Sequence, residues 1–80
     1  MKKPKIELGK YKHFKSDQKE YEVFDLVFDT DVDEWKVLYK ALYDTSEYFG
    51  DENVIFSRSI EKFFGEVEKD GKMIKRFEKI

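Results

Sequence analysis

A chain of 80 residues without a cysteine has no cross-link to restrict its unfolded state, so packing alone must hold whatever it folds into. A domain this small buries only about 60–65% of the surface its unfolded chain exposes, and each residue placed inside must bring a large area. Eight Phe, five Tyr and one Trp meet that need, because an aromatic ring buries roughly 150–250 Å². Charged residues are 42% of the chain, a fraction that by itself favours disorder. The rings and β-branched residues argue instead for one folded domain over residues 9–80, preceded by a leader segment at residues 1–8.

The same constraint excludes several classes. Eighty residues is too short for a multidomain enzyme, and the lack of cysteine excludes a disulfide scaffold and a thiolate metal site. No apolar run reaches the ~18–20 residues of a membrane span. The basic start, Met1-Lys2-Lys3-Pro4-Lys5, lacks the apolar stretch of a signal peptide. A cytoplasmic protein with no membrane partner is expected. Net charge is -2, but it is unevenly spread: residues 1–19 sum to +5, residues 20–53 to -9 and residues 54–80 to +2. The acidic middle repels phosphate backbones, so nucleic acid is an unlikely partner.

Periodicity favours strands. Gly9 to Lys15 alternates, with Tyr11 and His13 on one side. Ser16-Asp17-Gln18-Lys19 reads as a hairpin loop. From Tyr21 to Phe28 the apolar face changes sides near Asp25: Tyr21 and Val23 share one face, Phe24, Leu26 and Phe28 the other. A strand that switches its buried face needs a bulge or a sharp bend, which points to a small barrel rather than a flat sheet. Residues 34–43 fit a helix (Trp35, Leu38, Tyr39, Leu42) and a strand (Trp35, Val37, Tyr39, Ala41) equally well. Residues 57–67 fit one helical turn, capped by Ser57 or Ser59 and ending near Gly65, followed by a strand. Glu66 to Lys75 reads as a hairpin turning on Asp70-Gly71, a pair suited to a type I′ turn, with Arg76-Phe77 and Ile80 extending its second strand.

Five short motifs occur in order along the chain: Gly9-x-Tyr11-x-His13-Phe14-Lys15; Tyr21-x-Val23; Val37-Leu38-Tyr39 with Leu42-Tyr43; Arg58-x-Ile60 with Phe63; and Val67, Gly71, Arg76-Phe77 and Ile80. With these the chain resembles domain-of-unknown-function family 1653, small bacterial and phage domains without an established activity. The resemblance runs from Gly9 to Ile80. It departs from the family pattern at Asp29-Thr30-Asp31-Val32, where the family carries a histidine turn, and at Ser59, where it carries proline. It implies a mainly β protein, a small Src-homology-3-like (SH3-like) β-barrel or roll with one short helical turn near residues 60–64, and a strand rather than a helix at 34–43.

No catalytic constellation is evident. Asp29-x-Asp31-x-Asp33 starts like an EF-hand loop, but the sixth and twelfth positions are Glu34 and Lys40 rather than Gly and Glu; a polar turn is expected, and neither a metal nor a cofactor is implied. His13, the one histidine, titrates near neutrality and could act as a base or meet a ligand, yet nothing local selects a nucleophile among Ser16, Thr30, Ser57 and Ser59. Of the five tyrosines and Trp35, about half are expected in the core and the rest on a recognition surface. Arg58 and Arg76 offer planar forks for phosphate or carboxylate, or else close ion pairs with the acidic middle. The candidate ligand-binding residues are therefore Tyr11, His13, Tyr39, Tyr43, Arg58 and Arg76. The function expected is a non-enzymatic module binding a peptide, a protein or a small ligand. The alternative is a nucleotide- or phosphate-sequestering protein or small enzyme using His13 and Arg58. Exposed edge strands would permit a homo-oligomer.

Overall fold

The computed structural model describes residues 2–80. Its elements are β1 (Gly9–His13), β2 (Ser16–Asp29), β3 (Glu34–Ala41), α1 (Ser46–Phe49), β4 (Ile55–Ser59), α2 (Ile60–Phe63), β5 (Glu66–Lys69), β6 (Lys72–Lys75) and β7 (Phe77–Lys79). Five strands form an antiparallel sheet in the order β4-β3-β2-β1-β7, and β5 pairs with β6 in a separate hairpin. The protein is mainly β, as expected, and the helical turn after Ser59 is present. The barrel is not closed: β4 and β7 stand at opposite edges of the sheet and do not pair. The sheet instead curls until both edges flank one core, with the Arg58 guanidinium of β4 lying 5.7 Å from the Phe77 ring of β7.

Side chains, not backbone bonds, bridge that seam. α2 starts directly after β4, where the Ser59 hydroxyl accepts the Lys62 N–H at 3.2 Å and caps the turn. This aims Phe63 inward, where it is fully buried and stacks on Phe77, with centroids 4.1 Å apart and planes 8° from parallel. Tyr11 meets Phe63 edge-on at 5.4 Å. Tyr11, Tyr21 and Tyr39 are all buried, while Tyr48 is 80% exposed. Helix propensity contributes little to a four-residue turn; burial of Phe63 holds it in place.

The face switch in β2 is a bulge. Val23 pairs with Tyr39 and Asp25 with Leu38, so Phe24 is the extra residue. Tyr21 and Val23 face the core before it and Leu26 after it. Phe24 itself, expected on the second apolar face, is pushed outward and left 39% exposed. β3 shows the strand alternation, with Val37, Tyr39 and Ala41 buried. The Asp29–Glu34 run forms the turn between β2 and β3: Asp29 accepts the Asp31 N–H at 2.9 Å and pairs with Lys36 at 2.9 Å.

Two turn readings need correction. The β1–β2 connection is the tighter pair Phe14-Lys15, because His13 already pairs with Ser16. Pairing then jumps to Lys12 with Glu20, so Asp17, Gln18 and Lys19 bow out of the ladder. The second hairpin turns on Asp70 and Gly71 at φ +53° and +78°, as Asp-Gly favours. Its second strand stops at Lys75, however, and β7 turns away to pair with β1. The break is Arg76, whose N–H bonds back to Gly65 O at 3.0 Å.

Between β3 and β4, the Asp44–Asn53 segment contains the helical turn α1. Thr45 anchors it. Its buried hydroxyl donates to Asp51 O at 2.6 Å and accepts the Val54 N–H at 3.1 Å. Asn53 Nδ2 donates to Ala41 O at 3.1 Å, tying the far end of the segment to β3.

Gly65 ends α2 against the backbone, and a Cβ there would lie 2.6 Å from Glu61 O. Gly65→Ala should therefore destabilise the domain by about 1–3 kcal/mol, since backbone must shift to admit it. Urea denaturation measures this, and an unchanged midpoint would show that the close approach does not constrain the turn.

Candidate functional site

A cleft of about 320 Å³ opens on the side of the sheet where β1, β2, β3 and β4 meet the α1 segment. It is floored by rings. Tyr39 and Phe56 stack at 5.5 Å with planes 29° apart. Tyr21 meets Tyr43 edge-on at 5.4 Å, and their hydroxyls share a hydrogen bond of 2.7 Å. Phe77 closes the inner end. Tyr48 and Phe49 of α1 form the outer lip, 80% and 58% exposed, and Phe49 meets Phe56 edge-on at 5.7 Å.

Of the six candidate residues, four converge here: His13, Tyr39, Tyr43 and Arg58. Tyr11 lies elsewhere. It is a core ring whose hydroxyl donates to Glu7 O at 2.7 Å, and it borders a different hollow beside Ile6 and Phe64. Arg76 does not line the cleft either; its Nε donates to Lys62 O at 3.1 Å. Neither arginine forms the expected ion pair with the acidic middle: among the described residues no carboxylate lies within 4.0 Å of either. Arg58 is half-buried. Its Nε donates to the Tyr39 hydroxyl at 3.2 Å and its guanidinium carbon lies 5.7 Å from the Phe77 centroid, an arrangement that orients the fork without neutralising it.

Sequence reasoning missed Lys15, Lys19 and Phe49 at this site. Lys19 arrives through the bowed segment of β2, with its ammonium 5.4 Å from the Tyr43 ring. Lys15 arrives through the tight β1–β2 turn. Lys15 stands in the first of the five motifs and both lie in the basic stretch of residues 1–19, but neither signal places them at a cleft. Phe49 had no local signal, because α1 depends on the buried Thr45 contacts rather than on periodicity.

The cleft residues carry no acid: its ionisable side chains are His13, Lys15, Lys19, Arg58 and tyrosines. His13 reports the result. Burial is the main cause holding its pKa below the usual histidine value, and the charges of Arg58, Arg76, Lys15 and Lys19 push the same way. Its Nδ1 accepts the Lys15 N–H at 3.2 Å, so the neutral ring carries its hydrogen on Nε2. Among the described residues no hydroxyl is hydrogen-bonded to it. Ser16, Thr30, Ser57 and Ser59 do not line the cleft, and the Thr45 hydroxyl is engaged on both sides. Tyr21 is pushed far above the ordinary phenol range, first by burial and then by its bond to Tyr43, so it stays a neutral hydroxyl.

The model of a family described as a protein of unknown function (DUF1653) matches residues 9–79. The chain belongs to this family. No curated protein matches the chain, and no solved structure does. Among the described residues no helix is long and apolar enough to cross a membrane.

His13 yields a test of the site's electrostatics. Its folded-state pKa lies below its unfolded value, so the unfolded chain takes up the proton first on acidification. The stability linked to His13 is complete above about pH 6.5 and is lost as pH falls through the lowered folded-state value. NMR of the single imidazole should give a midpoint below 6.5. Between about pH 7 and pH 5.5, His13→Gln should flatten the fall in urea midpoint. A midpoint at or above the ordinary value would contradict the cationic surroundings.

Proposed function

We propose that this family member is a non-enzymatic binding module and that the aromatic cleft is its recognition surface, taking a small ligand or an exposed peptide side chain. One observation carries this reading: two large rings, Tyr48 and Phe49, stand in water at the lip of a ring-floored cleft. Burying apolar surface gains about 25 cal/mol per Å². In a chain that relies on aromatic packing, rings held outside the core are available to cover something else. Tyrosine suits that use because it offers a flat face and a hydroxyl at small entropic cost.

Two further features support binding over turnover. The cleft sits at the small end of ligand pockets, which span about 300–1,000 Å³. Its one imidazole, His13, is hydrogen-bonded to no hydroxyl among the described residues and has Nδ1 engaged by backbone, which leaves a general-base role without a paired nucleophile.

Amide shifts in a fragment screen on the labelled full chain should map to Tyr43, Thr45, Tyr48, Phe49 and Arg58. Shifts that gather only around Ile6, Ile60 and Phe64, or nowhere, would refute the assignment. Tyr48→Ala should leave stability within about 0.5 kcal/mol, as exposed positions do. It should weaken the best fragment by about fivefold or more, the loss typical of a stacked ring.

A further inference from the structure

Resting on the reading of the cleft as a recognition surface, we propose that its ligand is a phosphate monoester carried on a planar ring, a small molecule of nucleotide chemistry. The inference comes from an imbalance. The protein as a whole is acidic, with net charge -2, yet the charged side chains that line this cleft are Lys15, Lys19 and Arg58. Among the described residues none of the three forms an ion pair. Acids are plentiful elsewhere on the chain: Glu34 and Glu61 line a separate hollow that Arg58 also borders, so Arg58 faces acids on that side and none in the cleft. The cleft itself is left free of them.

Arg58 is the decisive group. A half-buried cation without a carboxylate partner keeps only part of its hydration, so an anion that arrives gains more from it than from a lysine fully in water. Its Nε is used by the Tyr39 hydroxyl, which fixes the plane of the fork and leaves the terminal nitrogens for two parallel bonds to an oxyanion. Three cations also favour phosphate over carboxylate: a phosphate monoester carries about -1.5 to -2 at neutral pH against -1 for a carboxylate. The lip supplies the other half of the recognition. Tyr48 and Phe49 stand exposed and line the cleft with Lys19 and Tyr43, and base-like rings stack on exposed aromatic rings whatever their sequence identity.

His13 turns this into a measurable event. Arg58, Arg76, Lys15 and Lys19 already act on its proton affinity, and on its other side it borders a smaller hollow with Lys12, Asp17, Lys75 and Glu78. A dianion entering the cleft offsets the cations and raises the His13 pKa; an uncharged ring does not.

The test uses three pairs of probes on the labelled full chain at about 0.1 M salt, where exposed long-range charge effects are screened: AMP with adenosine, UMP with uridine, and phenyl phosphate with phenol. At least one ester should shift Tyr48, Phe49, Lys19 and Arg58 and bind about tenfold or more tighter than its dephosphorylated partner, the increment expected of a charge-assisted contact. The same ester should move the His13 midpoint upward. Arg58→Gln and Lys19→Gln should each remove most of the ester's advantage, and thermal melting of each variant reports whether it still folds. If Arg58→Gln unfolds, the exposed Lys19→Gln variant and the His13 midpoint carry the test. Esters and neutral partners that bind equally at the cleft would overturn the phosphate assignment and leave the recognition surface standing. Binding by none of the six at the cleft overturns the phosphate-ester proposal, whereas a fragment screen that finds no ligand there removes the surface itself.

Discussion

The parallel stack of Phe63 on Phe77 is the contact on which the rest of the molecule depends. The sheet is open, and its two edge strands are not joined by hydrogen bonds. A curled sheet with unjoined edges would expose its inner face. The ring from α2, planted just after one edge, lies flat against the ring from the other edge at 4.1 Å. Tyr11 and Tyr39 pack around the pair. Aromatic area thus does what a continuous ladder does in a closed barrel. It also accounts for the placement of Ser59 and Gly65, which start and stop α2 with the register that aims Phe63 inward.

The same economy shapes the cleft. Tyr39 is both a core ring and the oxygen that orients Arg58. Phe77 is both the seam and the ring under the guanidinium. Tyr21 is buried against Tyr39 and Phe77 and passes a hydrogen bond outward to Tyr43. In a domain this small, the core and the floor of the cleft are opposite sides of the same rings. A substitution at Tyr39 or Phe77 would therefore disturb both together, whereas Tyr48, Phe49, Lys15 and Lys19 stand clear of the core.

Much of the fold was legible because its signals are local. Asp70-Gly71 specifies its own turn, Ser59 its own cap, and the change of apolar face in β2 announces a bulge. The residue left over at that bulge was not legible: Phe24 looks like a core ring, and only the pairing partner Tyr39 decides which residue is extra. That the sheet stays open was not legible either, since its edges meet only through side chains far apart in sequence, Phe63 stacked on Phe77 and Arg58 over the same ring. The candidate site was half legible. His13, Tyr39 and Arg58 stand on β1, β3 and β4, and Tyr43 lies two residues past the end of β3; the residue types stand out in the sequence, although periodicity alone leaves 34–43 open between helix and strand. Lys15 and Lys19 reach the cleft through a tight turn and a break in pairing, and Phe49 through a helical turn that exists because one buried threonine hydroxyl bonds twice.

That threonine has a wider consequence. Thr45 fastens the start of the lip to Asp51 and Val54, and Asn53 fastens its end to Ala41. The two outward rings are thereby presented on a staked platform instead of a hinged flap. On the proposed reading, a bound molecule would have little chain to immobilise, so more of its contact energy would remain as affinity. Such a surface would discriminate by shape at first encounter, and it would tolerate poorly any guest whose flat part is set at the wrong angle to its charge.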